Sequence, residues 1–214
     1  MPQWTWYGPP VYRYRDERGR FVALNTIQDW ASQSISNSQA AMGDLAAQLS
    51  DGSISLQQWQ TEMRARLRQD MIQQYTLGRG GIGEMTPQDN GSIGGVLAEQ
   101  YRYLDGFAER IAAGQHSEAQ IAALSRMYFN STHEAFERAM ARSRGFPDDV
   151  LPAYPGDGGS CLGLTNCGCH WDYHYVNGRW ECTWTLGVTE HCELCLDHAA
   201  TWAPLIVSAT GELL

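Results

Sequence analysis

The sequence predicts an α+β protein in which an antiparallel bundle of about four helices precedes a small, zinc-stabilised β-hairpin module. Apolar residues recur every three or four positions through the central region, as on one face of a helix. Beyond residue 160 the alternation changes to a period of two, and all six cysteines fall between 161 and 195. The predicted parts are an N-terminal arm or hairpin at 1–24, a helical domain at 25–145, a linker at 146–160 and a cysteine-rich zinc module at 161–214.

The N-terminal segment is rich in aromatic residues and arginine. Residues 11–15 and 20–22 predict two short strands around a turn at Gly19, or an extended arm that lies on a neighbouring subunit. Interleaved aromatic and arginine side chains can stack on nucleic acid, and they are also common anchors of protein interfaces. Because the chain carries a net charge of −9, we favour the protein interface and expect nucleic-acid binding only through this arm.

Four helices are predicted from their capping signals. Asn25 with Gln28 starts the first, over 25–49, and Gly52 ends it. Ser55 with Gln58 starts the second, which runs to about residue 77, before Gly78.

The third and fourth helices have equally clear boundaries. Thr86 caps the third and Pro87 occupies its first turn, so we expect it over 87–113. Ser117 with Gln120 opens the fourth, which ends at Gly145. The short connections between helices indicate antiparallel packing.

The C-terminal region reads as a hairpin followed by a short helix. Asn177-Gly178 is a strong hairpin signal between a strand that begins near Cys169 and a returning strand over 179–186. A helix is expected within 192–202, ended by Pro204. Prolines and glycines at 146–160 indicate the linker that precedes it.

The cysteine spacing predicts one structural zinc ion. Cys192 and Cys195 are separated by two residues, which is typical of a tetrahedral zinc site, and Cys167 and Cys169 point to the same face at the start of the hairpin. The predicted ligands are therefore Cys167, Cys169, Cys192 and Cys195, with Cys161 as the first substitute. Disulfides and free core cysteines are the alternatives.

The remaining cysteine and the histidines have simpler interpretations. Cys182 alternates with tryptophans and is expected to be a small buried hydrophobe. Single histidines in the module are more often surface residues than ligands, although four are candidates: His170, His174, His191 and His198.

Catalytic signatures are weak. His191-Cys192-Glu193 overlaps the Cys-x-x-Cys pair instead of preceding it, so the zinc deaminase pattern does not match. His133-Glu134 lacks the second histidine of the metalloprotease motif. We therefore expect a protein that is not an enzyme. The alternatives are a zinc-dependent hydrolase or nucleic-acid-modifying enzyme that uses His170, His174 or Glu193, and a small DNA-binding regulatory protein.

Two stretches, LPAYPGDGGSCLGLTNCGCHW and HCELCLDHAATWAPL, resemble the C-terminal part of tailed-bacteriophage minor head and head-morphogenesis proteins. YRDERGRFV near the N-terminus is similar to uncharacterised phage and prophage members of that group. Gly168 stands where many of those proteins have arginine, and the order of the two cysteine pairs is reversed. The resemblance implies a multi-copy virion component, made in the host cytoplasm, that contacts portal, capsid or connector subunits.

Other locations are not expected from the sequence. The N-terminus lacks a basic start followed by an apolar core, so we expect no secretory signal and folding in a reducing cytoplasm. No apolar run approaches the ~20 residues of a membrane-spanning helix, so no membrane partner is expected.

Overall fold

The computed structural model describes residues 2–8, 13–128, 130–156, 168–187 and 191–214. It is a mixed α+β structure with two three-stranded antiparallel sheets. The strands are β1 Trp4–Tyr7, β2 Arg13–Asp16, β3 Phe21–Val22, β4 His170–Val176, β5 Arg179–Thr185 and β6 Leu205–Ser208. The helices are α1 Leu24–Ser50, α2 Leu56–Arg79, α3 Pro87–Ala112, α4 Glu118–Met127, α5 Asn130–Arg142 and α6 Glu193–Thr201, with a 3₁₀ turn at Ile82–Glu84.

The N-terminal residues form a sheet on the body of their own chain. The strands β2 and β3 lie where the sequence predicts a hairpin, and Gly19 takes the turn with φ of 74°. β1 was not predicted. Its Trp4 is 2% exposed and donates Nε1–H to the Leu77 carbonyl at 2.8 Å. The backbone N–H of Trp4 donates to the Gly80 carbonyl at 3.0 Å, so β1 is attached to the end of α2.

The first two helices have different N-termini. Helix α1 begins one residue before the predicted start, after Ala23, which has no side-chain capping bond. Helix α2 has the predicted capping box, in which Ser55 Oγ accepts from the Gln58 N–H at 3.2 Å and Gln58 Oε1 accepts from the Ser55 N–H at 2.8 Å. The first prediction was therefore wrong about the capping residue, and the second is confirmed.

Gly78 lies inside α2 and does not end it. The helix continues to Arg79, and Gly80 with φ of 98° is its C-cap. A Cβ added at Gly78 would lie 2.5 Å from the Phe136 carbonyl oxygen and 2.7 Å from Ala139 Cβ. This glycine therefore permits the close crossing of α2 and α5.

The predicted fourth helix is divided into α4 and α5. Helix α4 ends at Met127 and α5 begins at Asn130. The Ser131 hydroxyl donates to the Tyr128 carbonyl at 2.8 Å, which competes with the backbone bond of a continuous helix. Helix α3 shows the predicted Thr86 cap with Asp89 as the reciprocal partner.

The C-terminal sheet follows the predicted hairpin and adds one strand. Asn177 and Gly178 both have positive φ, of 52° and 83°, as a type I′ turn requires. In β4, Trp171 and Tyr173 are buried, whereas His174 on the opposite face is exposed. β6, which pairs with β5, was not predicted because its four residues show no alternating pattern.

A shared core joins the two sheets to the helices. Trp4 and Tyr14 of the N-terminal sheet lie in the same buried cluster as Phe136 of α5 and Trp171 and Trp184 of the C-terminal sheet. Four side chains from the predicted linker are buried in this cluster: Phe146, Leu151, Ala153 and Tyr154. The described part of that segment, up to residue 156, is therefore packed and does not act as a spacer.

Arg144 is the polar residue at the centre of this junction. It is 7% exposed, and its guanidinium carbon lies 3.9 Å from the centre of the Tyr173 ring and 5.5 Å from that of Tyr14. Its Nη2 donates to the Tyr14 hydroxyl and its Nη1 to the Met140 carbonyl. Burial raises the pKa of Tyr14, although the Arg144 charge opposes that rise.

Two further clusters fill the helical region. One surrounds Trp59 and Phe107, whose rings meet edge to face at 5.6 Å, and the other surrounds Met71 and Tyr75. Across the described residues, no helix combines the length and apolar character needed to cross a membrane.

Candidate metal centre

Cys169 immediately precedes β4 and is 1% exposed. It lies on the same side of the strand as Trp171 and Tyr173, because side chains alternate between the faces of a sheet. This is the orientation that the sequence predicts. The thiol is therefore directed toward the core edge of the sheet.

A close backbone contact fixes the chain at this point. A Cβ added at Gly187 would lie 2.5–2.7 Å from the backbone atoms of Gly168, closer than any side chain can tolerate. The segment entering β4 and the segment leaving β5 are therefore in direct contact. Gly168 and Gly187 together hold Cys169 at the end of the sheet.

Cys192 and Cys195 both belong to the start of α6. Cys192 is the N-cap, has extended backbone geometry and is half-buried. Cys195 lies one turn further and is 1% exposed. The start of α6 therefore carries two thiols one turn apart on the same helix.

The sheet holds the other end of α6. The backbone N–H of Trp184 in β5 donates to the Trp202 carbonyl at 3.1 Å. The rings of Trp184, His198 and Trp202 pack together, with His198 stacked on Trp202 at 4.0 Å. The C-terminal end of α6 is therefore anchored independently of its cysteines.

His191 lies next to Cys169. Its Nδ1 is 3.8 Å from Cys169 Sγ. Two ligands of a tetrahedral zinc ion, with bonds of about 2.0–2.3 Å, lie roughly 3.5 Å apart. The Cys169–His191 separation is close to that value, and a mixed sulfur and nitrogen donor set suits zinc.

Three of the predicted ligands, Cys169, Cys192 and Cys195, are among the described residues. Within the described ranges, no three Cys, His, Asp or Glu side chains lie in positions to hold one ion. Cys161 and the predicted ligand Cys167 fall outside the described residues. Zinc ligation by Cys167, Cys169, Cys192 and Cys195 therefore stays a prediction.

Cys182 is a core residue, as predicted. It is 0% exposed, is paired with Tyr173 across the β4–β5 ladder and carries a free thiol. Burial raises the pKa of this thiol to about 12. Cys182 therefore packs as a small apolar side chain.

Three further candidates lie away from these cysteines' contacts: His170 pairs with a carboxylate, and the other two are on the surface. His170 Nε2 lies 3.6 Å from Asp172 Oδ1. Burial opposes the charge on His170, but Asp172 and the more distant Glu137 outweigh burial and raise its pKa to about 9. His174 and Glu193 are exposed.

The contact between His191 and Cys169 is the one that the sequence indicated least clearly. His191 was one of four candidate histidines, and its adjacency to Cys192 was the only signal in its favour. Its approach to Cys169 depends on how α6 packs against the sheet, which spacing does not reveal. The comparisons with known proteins add no relative: no protein-family model, curated protein or solved structure matches this chain.

Proposed function

We propose that this chain is a structural protein of a phage virion, of the minor head or head-completion type, with one structural zinc ion in its C-terminal module. It would bind neighbouring portal, capsid or connector subunits. The observation that supports the metal best is the 3.8 Å separation of Cys169 Sγ and His191 Nδ1, beside a helix that opens with Cys192 and Cys195. The virion role is supported by the motif resemblance at both ends of the chain.

The proposed ligands are Cys167, Cys169, Cys192 and Cys195. Cys161 or His191 is the substitute if one of these does not bind. Four protein ligands would complete a tetrahedral shell, which is the arrangement of a structural zinc site and leaves no position for a reacting water.

The zinc would fasten α6 and the chain entering β4 to each other. The sheet itself shares its core with the helices through Phe136, Trp171 and Trp184. The metal is therefore proposed to order the N-terminal end of α6, since the sheet already anchors the C-terminal end, and it is not needed to build the sheet.

Metal analysis of the purified protein tests the site. We expect about one zinc per chain, lost in Cys192→Ser and in Cys195→Ser. Cys182→Ala is the matched control, because it removes a buried thiol that is not a proposed ligand; it should keep the zinc. A metal-free wild-type protein, or a Cys192–Cys195 disulfide in its place, would contradict the zinc proposal.

Analysis of particles tests the virion role. In purified particles of the phage or prophage that encodes the chain, we expect it in several copies by quantitative mass spectrometry. A particle that contains the portal and capsid subunits but lacks this chain would contradict the proposal. The result is independent of the metal content, so each half of the proposal can fail alone.

A further inference from the structure

The outer side of the N-terminal sheet exposes a set of aromatic and arginine side chains. We name Tyr7, Arg13, Arg15 and Phe21 the Arg–aromatic face. Tyr7 is 47% exposed and Phe21 is 55% exposed, whereas Trp4 and Tyr14 on the other side of the sheet are buried. The strand register places Tyr7 opposite Arg13 and Arg15 opposite Phe21.

The two guanidinium groups on this face are stacked on the two rings. The guanidinium carbon of Arg15 lies 4.2 Å from the centre of the Phe21 ring and 5.8 Å from the centre of the Tyr7 ring. The guanidinium carbon of Arg13 lies 4.8 Å from the centre of the Phe21 ring. Among the described residues, no carboxylate lies within ion-pair distance of Arg13 or Arg15. Arg15 Nη1 also donates to the Gly19 carbonyl at 2.5 Å, so Arg15 is held by the rings and by this bond, while N–H donors of Arg13 stay available to a partner.

Helix α6 has an exposed face of complementary charge. Glu193, Leu196 and Asp197 are exposed, with Leu196 at 49%, and they share one side of the helix by their spacing of three and four. We name these three residues the acidic face. Two like charges four residues apart disfavour a helix, and a cation bound between them would relieve that repulsion.

The surrounding chain has the same asymmetry of charge. Residues 1–24 contain four arginines against two acidic residues, which gives +2. Residues 151–214 contain seven acidic residues against Arg179 alone, which gives −6. The two faces are therefore complementary in charge and both include an apolar side chain for contact.

We propose that the Arg–aromatic face of one copy of this chain binds the acidic face of α6 of a second copy. Arg13 and Arg15 would meet Glu193 and Asp197, and Phe21 and Tyr7 would cover Leu196. This inference deepens the multi-copy role in the proposed function and rests on it. Because the two faces differ, repetition of the contact gives a reciprocal pair or a ring where the rotation between copies closes, and an open filament where it does not.

A protein partner fits this face better than single-stranded nucleic acid. Bases stack on open ring faces, and here the guanidinium groups already lie over the rings. The net charge of −9 also repels phosphate at long range. Stacked guanidinium groups present their edges, which match carboxylates in geometry.

The contact is small, so the isolated protein should self-associate weakly. Stable interfaces bury about 1,200–2,000 Å² in total, more than a few side chains provide. Repetition around a closed assembly strengthens such a contact without adding new interactions.

Charge reversal with rescue tests the contact. Sedimentation velocity over a range of concentrations should show self-association of the full-length wild-type protein. Arg13→Glu with Arg15→Glu should raise the apparent dissociation constant of self-association by about 30-fold, because two charge pairs become repulsive. Glu193→Arg with Asp197→Arg should raise it by a similar factor. An equimolar mixture of the two double variants should associate again, since each supplies the charge that the other lacks.

Arg68→Glu with Arg102→Glu is the matched control. It changes the net charge by the same amount at exposed positions of α2 and α3, and it should leave association unchanged. Circular dichroism and zinc content of each variant show whether the fold and the metal are retained.

Three outcomes would overturn the inference: a wild-type protein that stays monomeric at all concentrations, double variants that associate like the wild type, or a mixture that is not rescued. Loss of oligonucleotide binding in Arg13→Glu with Arg15→Glu, with self-association intact, would identify nucleic acid as the occupant instead. A zinc-loaded protein that is present in particles but fails these tests leaves the proposed function standing without this contact.

Discussion

At the scale of single residues, Asp89 shows how this chain keeps a buried charge. Its side chain is 1% exposed, and it accepts hydrogen bonds from the Thr86 N–H and hydroxyl, both at 2.8 Å. Arg79 Nε lies 3.2 Å from Oδ2, and Arg142 Nη1 and the Tyr75 hydroxyl each lie 3.1 Å from Oδ1. Burial alone would raise the pKa of Asp89, but the Thr86 and Tyr75 hydrogen bonds and the Arg79 charge outweigh burial and lower it.

The sign of the pH dependence follows from that shift. The native carboxyl holds its proton less tightly than the unfolded one, so Asp89 contributes stability above the unfolded pKa of about 3.9. That stability is lost as the pH falls through the lower native pKa. The pKa of Asp70 shifts in the opposite direction. Asp70 is 4% exposed, and burial raises its pKa even though Ser38 and Arg66 lower it in part. Ionised Asp70 therefore costs stability at neutral pH.

The two aspartates predict opposite outcomes for the same substitution. Asp89→Asn should lower the free energy of unfolding by about 3–5 kcal/mol at pH 7, because it leaves Arg79 buried without its counter-charge. It should also flatten the loss of stability below pH 4. Asp70→Asn should leave stability unchanged or raise it at pH 7. Urea unfolding at pH 3, 5 and 7 measures both, and equal losses for the two variants would refute this assignment.

At the scale of elements, the crossing of α2 and α5 depends on Gly78. The Phe136 carbonyl and Ala139 methyl lie where a side chain at Gly78 would be. Glycine in a helix normally lowers stability by about 0.5–1 kcal/mol relative to alanine. Here that cost is offset by the close approach of two helices that pack extensively.

Gly78→Ala should therefore destabilise the protein by about 1–3 kcal/mol, since the backbone of α5 must move. Gly94→Ala is the matched control. Gly94 lies exposed in α3 with nothing within 4 Å of an added Cβ, so alanine should stabilise by about 0.5–1 kcal/mol. Thermal unfolding of both variants measures the contrast. A stabilising effect at Gly78 would show that α5 does not approach α2 so closely.

At the scale of the whole molecule, the N-terminal sheet, the helices and the C-terminal sheet are held by one buried cluster. The ring centres of Trp6 in β1 and Trp180 in β5 lie 5.4 Å apart. The Arg144 guanidinium lies between the rings of Tyr14 and Tyr173. The C-terminal sheet therefore has apolar support that a free module of some 60 residues would lack.

Removal of the proposed zinc ion should consequently affect only part of the molecule. After chelation, we expect amides of α6 to lose protection in hydrogen exchange, whereas amides of β4 and β5 should stay protected. Mass spectrometry of the full chain with and without a chelator measures this difference. Loss of protection throughout β4 and β5 would mean that the metal, and not the shared core, supports the sheet.

The sequence by itself determined the local features of this protein. The caps at Ser55, Thr86 and Ser117 and the Asn177-Gly178 turn correctly predicted where three helices begin and where the hairpin turns, because each depends on bonds within a few residues. Alternation around Cys182 likewise indicated its burial.

Only the tertiary structure decided how those elements meet. The sequence indicated a helix end at Gly78, whereas the structure shows a packing contact there. The strands β1 and β6 have weak sequence patterns and form because they pair with neighbouring strands. His191 approaches Cys169 because α6 packs on the sheet. The physical reason is common to all three. Hydrogen bonds and contacts between residues distant along the chain depend on the whole packing arrangement, and no local pattern encodes that arrangement.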